Sequence, residues 1–406
     1  MSADAPALIA ADWGTTSCRF ALIGAGGTVL ERATGRGILP VLADAAAGSD
    51  GPAASAAERA AVFEAELRAQ AGEWLAQTPG IPVLMCGMIG SNTGWVDAGY
   101  REVPCEVVVD PADLTPVPLP GHPAWIVPGL LLPGRAPDIM RGEETQALGA
   151  LLDAGDGADH LVIAPGTHSK WVRLRAGRVT GFRSYLTGEL FTALREHTII
   201  GHGIPQPPRA GGDTGPAASG DGAGAGEQGA TGEVAADERT GERSAFAEGL
   251  DHAHGVAGPT GRPDAGAEPP ATQTPGTAPA GAGPGELSRA SLLHTVFSAR
   301  TRVVAGDLDP AAVPAYLSGL LIGDEIADGL AAADVGPDTV VTVIGSADLA
   351  ERYRGALART GIAARVAGDD ATLRGLLAIA EAAGWLDPAP RPGHSAEDGH
   401  TAEENA

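Results

Sequence analysis

At 406 residues the chain is long enough for two or three domains and a large buried core. Its formal net charge of −24 argues against nucleic acid or an anionic membrane as a partner, and no apolar stretch is long enough to span a bilayer. An anionic substrate would have to be met by cations placed locally.

Met1-Ser2-Ala3-Asp4 offers neither a basic region nor a signal-type apolar core, and Cys18, Cys86 and Cys105 show no metal spacing. The expected setting is a reducing cytoplasm without disulfides, with homo-oligomers left open.

In chain order, an apolar run at 7–11 ends in Asp12 and is followed by Gly14-Thr15-Thr16-Ser17, a second apolar run at 20–23, and Gly26-Gly27 before a third short strand. This pattern predicts a β-hairpin or meander with a hydroxyl-rich tip. The tip suits a phosphate: Gly14 allows close backbone approach, Thr15, Thr16 and Ser17 supply hydroxyls, and Arg19 supplies a cation. Asp12 could hold Mg²⁺ through water, as hard oxygen ligands do. The alternative reading is a polar hairpin that merely begins with an acid. Cys18 reads as a small strand residue rather than a nucleophile.

A helix is expected over 57–77 and a buried strand over 81–86, running into a small-residue loop from Gly87 to Trp95. Strands are expected at 103–109 and 125–127 and a helix at 142–152. His160–Ala164 reads as a strand, followed by Gly166-Thr167-His168-Ser169-Lys170 and a hairpin over 171–174 and 178–182 around Ala176-Gly177. Helices follow at 187–196, 286–299, 311–330, 346–360 and 370–384, with strands at 340–344 and Ala364–Val366. This alternation indicates an α/β fold.

Residues 209–285 are rich in Gly, Ala, Pro, Thr and acids and poor in aliphatics, so they cannot offset their ordering entropy. Two disordered runs, 209–243 and 255–285, are expected to flank a short helix over 244–253 that docks on the core. A disordered acidic tail is expected over 387–406.

Three further segments carry chemistry. Arg141-Gly142-Glu143-Glu144 sets two acids in the first turn of a helix, where the dipole favours them and where either carboxylate could act as a general base. A solvated helix start is the plainer reading. Gly166, Thr167, His168 and Ser169 repeat the strand–tip–strand design of the first hairpin, and two such hairpins could grip a nucleotide's phosphates from two sides. Lys170 is the one lysine among 27 basic residues, in a chain that otherwise writes arginine, and a compact point charge suits a transferring phosphoryl group. His168 reads as a hydrogen-bonding or structural residue, since no second His or Cys stands at ligand spacing. Gly345-Ser346 ends a buried strand and opens a helix, a turn against which a nucleoside could lie.

This order of segments resembles the superfamily of acetate and sugar kinases, heat-shock ATPases and actin (ASKHA). Within it the chain resembles the 2-dehydro-3-deoxygalactonokinase family, over residues 7–208 and 286–385. The resemblance rests on Asp12-Trp13-Gly14-Thr15-Thr16, on Gly87 through Trp95, on Val127-Pro128-Gly129-Leu130, on Met140 through Gln146, on Pro165 through Trp171, on Leu186 through Leu190 and on Leu317 through Gly323. It implies two RNase-H-like domains around a nucleotide cleft, 1–128 and 129–386, the second interrupted by the 209–285 insertion. It also implies ATP with Mg²⁺ and phosphorylation of the terminal hydroxyl of 2-dehydro-3-deoxy-D-galactonate.

Matched position by position, Asp12, Thr15 and Thr16 fall in the first phosphate motif, Gly166, Thr167 and Ser169 in the second, and Gly345 and Ser346 in the adenosine motif. Related kinases place an Asp base shortly before the second phosphate motif; here Glu143 and Glu144 stand there, with Glu143 slightly favoured because it directly follows the glycine. Met88, Ser91, Asn92, Trp95 and Arg141 are candidates for gripping the sugar acid, Arg141 through a bidentate fork to its carboxylate. A same-fold phosphohydrolase and a non-catalytic actin-like nucleotide binder are the rival readings.

Overall fold

An apolar run such as residues 8–11 is stable as a strand only when both of its faces are covered. In the computed structural model, which describes residues 4–47, 55–152, 159–201, 233–253, 291–368 and 370–387, that run is the middle of strand β1 (Pro6–Trp13). Leu8 and Ala10 are buried on one face with Ala21, Ile23 and Leu84, and Ile9, Ala11 and Trp13 on the other with Phe20, Leu22 and Met85. β1 pairs antiparallel with β2 (Ser17–Gly24), and β2 antiparallel with β3 (Val29–Arg36). On its other side β1 lies parallel to β4 (Val83–Gly87), and β4 parallel to β5 (Ala124–Ile126).

The second sheet is built from β6 (His160–Ala164), β7 (Ser169–Arg175), β8 (Arg178–Tyr185), β9 (Val340–Val343) and β10 (Ala364–Val366). Its order, β10-β9-β6-β7-β8, repeats the β5-β4-β1-β2-β3 order of the first sheet. The pairing senses repeat as well: two antiparallel hairpin partners on one side of the first strand, two parallel strands on the other. The chain therefore makes the same five-stranded RNase-H-like unit twice.

The helices that position the site are α1 (Ala56–Gln77), α2 (Glu143–Leu152), α3 (Thr187–His197), α4 (Glu233–Ala253), α5 (Val313–Ala333), α6 (Ala347–Arg359) and α7 (Ala371–Ala382). α1 opens on a Ser55–Glu58 capping box and lays Phe63, Leu67, Ala71 and Trp74 on the Ile9 face of the first sheet. α5 and α6 cover the second sheet, packing Ile322, Ile326 and Tyr353 against Leu161, Ile163 and Trp171.

α2 and α7 fill the layer between the two sheets. α7 packs on β1 and β4, α2 packs on β6, and one core cluster joins Leu8 and Leu84 to Leu148, Ile379, Val162 and Val172. The two helices touch backbone to backbone. A Cβ on Gly149 would stand 1.8 Å from the Ala371 carbonyl oxygen, and one on Gly375 2.0 Å from that of Thr145.

Side chains alternate along a strand. Asp12 therefore shares the face of Leu8 and Ala10, and Lys170 the face of Val172 and Leu174. Both faces look into the layer that holds α2 and α7.

Several expectations are corrected here. Of the strand expected over 103–109, only Cys105–Glu106 pairs, as an edge strand on β8. Val103, Val107 and Val109 do alternate inward, but Pro104 has no N–H to donate and the run finds no longer partner. Residues 233–243, expected without order, are the first half of α4. Its second half docks on α5 through small residues: a Cβ on Gly249 would lie 2.2 Å from the Tyr316 carbonyl oxygen, and one on Gly319 2.2 Å from that of Phe246. The helix expected over 286–299 is two short helices, Leu292–Thr295 and Ser298–Ala305, over its described part. Helix Ile38–Ala47 was not anticipated. The remaining low-complexity stretches, 209–232 and 254–285, and the tail 388–406 lie outside the described residues.

Candidate active site

The first tip is closed by the Gly14 N–H, which donates to the Ser17 carbonyl at 2.9 Å. Thr15, Thr16 and Ser17 are exposed on it. Helix Ile38–Ala47 backs the tip: Gly37, Ile38 and Leu39 donate to the carbonyls of Thr16, Gly14 and Thr15. A Cβ on Gly37 would fall 2.4 Å from the Thr16 carbonyl carbon, so only glycine lets the helix start this close.

The second tip is backed in the same way by the start of α3. Glu189 N–H donates to the Thr167 carbonyl at 2.9 Å, and a Cβ on Gly188 would fall 2.2 Å from the Gly166 oxygen. Gly166, Thr167 and His168 are exposed. His168 Nε2 pairs with the Glu189 carboxylate at 2.6 Å. Ser169 is not brought to the tip surface. It is fully buried on the opposite face of β7 from Lys170, with its hydroxyl 3.0 Å from the Tyr353 hydroxyl.

Asp12 sits at the end of β1, opposite Arg19 in the β1–β2 register, with its carboxylate 3.7 Å from the guanidinium. Burial raises its pKa, while Arg19 and a hydrogen bond from Thr372 at the start of α7 oppose the rise. Thr372 gave no signal in the sequence, because nothing local says that α7 returns to the first sheet. Among the described residues no group of three or more His, Cys, Asp or Glu is arranged to hold a metal. One partly exposed carboxylate beside a phosphate-type tip nonetheless fits Mg²⁺, which usually takes one or two carboxylates, waters and substrate phosphates.

The start of α2 stands between the two hairpins. Gly142 has φ of +103°, and a Cβ there would lie 3.3 Å from the Gly87 Cα at the end of β4. The two acids then divide. Glu144 is buried and engaged, accepting from Gly142 N–H at 2.7 Å and from the Thr145 hydroxyl at 3.0 Å. Glu143 accepts from Arg141 N–H at 3.0 Å and keeps part of its surface open. Burial raises the Glu143 pKa, and the charges of Lys170 and His168 pull against it. Lys170 itself is 6% exposed. Gly345, with φ of +154°, turns beside Pro165 and leaves Ser346 exposed at the start of α6, next to the second tip.

In the loop after β4, Asn92 is exposed and Met88 half-buried, whereas Ser91 and Trp95 are buried within the loop. Arg141 lies beneath this loop, its guanidinium 4.5 Å from the Tyr100 ring centroid and donating to the Gly99 carbonyl at 3.0 Å. Arg141 Nε and Nη1 and Trp95 Nε1 are buried donors that find no hydrogen-bond partner among the described residues.

The acid pair has a measurable consequence. Burial and the adjacent Glu143 push the Glu144 carboxyl up to about 7. The folded chain then holds this proton more tightly than the unfolded chain, whose Glu pKa is about 4.3. The stabilisation is fully present below the unfolded value and is lost as pH rises through the folded one. Urea unfolding from about pH 5 to pH 8 should show Glu144→Gln gaining on the wild type with rising pH, toward about 3 kcal/mol in the limit. A difference that does not change with pH would overturn this account.

The described residues contain no helix long and apolar enough to cross a membrane, and Cys18, Cys86 and Cys105 are free. A family model described as 2-keto-3-deoxy-galactonokinase matches residues 12–233 and 269–379. A probable 2-dehydro-3-deoxygalactonokinase of Rhizobium meliloti (strain 1021) is 32% identical over 378 residues, 93% of this chain and 97% of that protein. The 2-dehydro-3-deoxygalactonokinase of Escherichia coli (strain K12) is 31% identical over 303 residues, 74% of this chain and 79% of its own length. A Sinorhizobium meliloti crystal structure given the same assignment aligns with a TM-score of 0.65 at 31% identity, covering 93% of this chain and 99% of that one. With the doubled fold and the acid-bearing helix start between two hairpin tips, these matches establish that the chain belongs to the 2-keto-3-deoxy-galactonokinase family.

Proposed function

We propose that this protein transfers the γ-phosphoryl group of ATP to the terminal hydroxyl of 2-dehydro-3-deoxy-D-galactonate, in a cleft between the units 1–128 and 129–386. The observation that carries the reading is the position of Glu143. It is the first residue of the helix layered between the two hairpin sheets, it is partly open, and it lies within electrostatic reach of Lys170 and His168. The names of the relatives support the substrate class.

In this reading the exposed hydroxyls and amides of Thr15, Thr16, Ser17, Gly166 and Thr167 hold the phosphates, and Gly345-Ser346 flanks the nucleoside. Glu143 accepts the proton of the attacking hydroxyl as its oxygen bonds to phosphorus. Lys170 stabilises the charge carried by the transferring group and the departing ADP. Asp12 is the residue that would hold Mg²⁺, which when bound neutralises phosphate charge. The unpartnered donors of Arg141 and Trp95 support a sugar-acid carboxylate near the loop after β4, with Met88 and Asn92 at its surface. The free cysteines fit a cytoplasmic enzyme.

The test is ADP release with 2-dehydro-3-deoxy-D-galactonate, its gluconate epimer, simple hexoses and no acceptor measured in parallel. Turnover dependent on the galactonate compound is expected. Equal turnover without any acceptor would replace the kinase reading by a phosphohydrolase.

A further inference from the structure

One buried carboxylate outside the cleft ties together three elements that carry the proposed nucleotide side. Glu325, in the middle of α5, is 2% exposed. Its Oε1 accepts from Trp171 Nε1 at 2.7 Å. Its Oε2 accepts from the Tyr353 hydroxyl at 2.7 Å and from the Thr187 hydroxyl. Tyr353 in turn lies 3.0 Å from the Ser169 hydroxyl.

These partners occupy particular places. Ser169 and Trp171 bracket Lys170 on β7, and both turn away from the central layer toward α5 and α6, so the backbone that presents the lysine is held from behind at two successive positions on that side. Thr187 is the first residue of α3, whose Gly188 and Glu189 lie against the Gly166–Thr167 backbone. Tyr353 sits on α6, the helix entered from Gly345-Ser346.

We infer that Glu325 is a positioning residue for nucleotide binding: by anchoring β7, α3 and α6 to a single carboxylate it sets the second tip, Lys170 and the Gly345-Ser346 turn in mutual register. It cannot touch substrate, because its carboxylate is enclosed. Isolating a carboxylate costs stability unless several donors satisfy it, and this one receives three. The inference rests on the kinase reading for what the tip binds, not for the geometry.

The experiment is steady-state kinetics of full-length Glu325→Ala and Glu325→Gln, with the folded state checked by circular dichroism and thermal melting. For Glu325→Ala the KM for ATP should rise about tenfold or more, with the KM for the sugar acid within about twofold of wild type, as expected when buried donors are left unpaired on one side of a cleft only. Glu325→Gln should recover most of the ATP affinity. Its amide oxygen still accepts from the indole, and its NH₂ can donate to hydroxyls that turn to accept. A merely structural residue would shift both KM values together or lower the folded fraction without changing either; each result overturns the inference.

If Glu325→Ala does not fold, Tyr353→Phe and Thr187→Val each remove one arm, and an unchanged KM for ATP in both folded variants has the same force. Should the wild type lack ATP-dependent turnover, the kinase reading falls by itself. Calorimetric ADP binding to the same variants then decides the positioning role, with weakened binding in Glu325→Ala and recovery in Glu325→Gln expected and equal affinities overturning it.

Discussion

Replacing Glu143 by glutamine should lower kcat by about 10²- to 10⁴-fold, the range a positioned general base contributes. Glutamine keeps the size of the side chain and an oxygen to accept the Arg141 N–H, so the helix start should stand while the proton acceptor is lost. The companion variant Glu144→Gln should cost kcat far less, because Glu144 is buried and engaged by Gly142 and Thr145 rather than open to the cleft. A pH profile sharpens the test. Burial raises the Glu143 pKa above the usual carboxylate value, so wild-type turnover should fall as pH drops through it. A larger loss in Glu144→Gln than in Glu143→Gln would transfer the role of base to the second acid.

Removal of the Lys170 ammonium should have a comparable effect. In Lys170→Ala, kcat should fall by about 10²- to 10³-fold with a much smaller rise in KM, the signature of a charge used mainly in the transition state. Lys170→Arg should not restore the rate. Lys170 is 6% exposed, on the face of β7 that looks into the layer of α2 and α7, and a planar guanidinium is too wide to deliver a point charge there. The lone lysine in a chain with 27 basic residues is consistent with that requirement. A loss confined to KM would make Lys170 a binding residue and move transition-state stabilisation to other groups.

Much of the local architecture was legible without coordinates. The strand His160–Ala164 lies where its apolar run puts it, fully buried, because a short aliphatic run bounded by polar turns has few other ways to hide. The Glu143-Glu144 pair opens a helix, as two acids after a glycine should. The segment 233–243 was misjudged because its composition is polar. It is nonetheless helical, the first half of a helix whose second half docks through Gly249 on Gly319, a backbone contact that composition does not encode. Glu325 left one trace, an acid inside an apolar helix, but its donors come from residues 171, 187 and 353 and meet only in the folded chain.

By itself the sequence determined the hairpins, their hydroxyl-rich tips, the acidic helix start and the strand–helix alternation, since each depends on spacing within a few residues. The tertiary structure alone decided which side of each strand works. The period of two sends Ser169 and Lys170 to opposite faces, but only the packing of both sheets on α2 and α7 makes the lysine's face the central one and commits the serine to Tyr353. The same packing opens Glu143 and encloses Glu144, two neighbours that spacing could not separate, because exposure is set by what the rest of the chain lays against them.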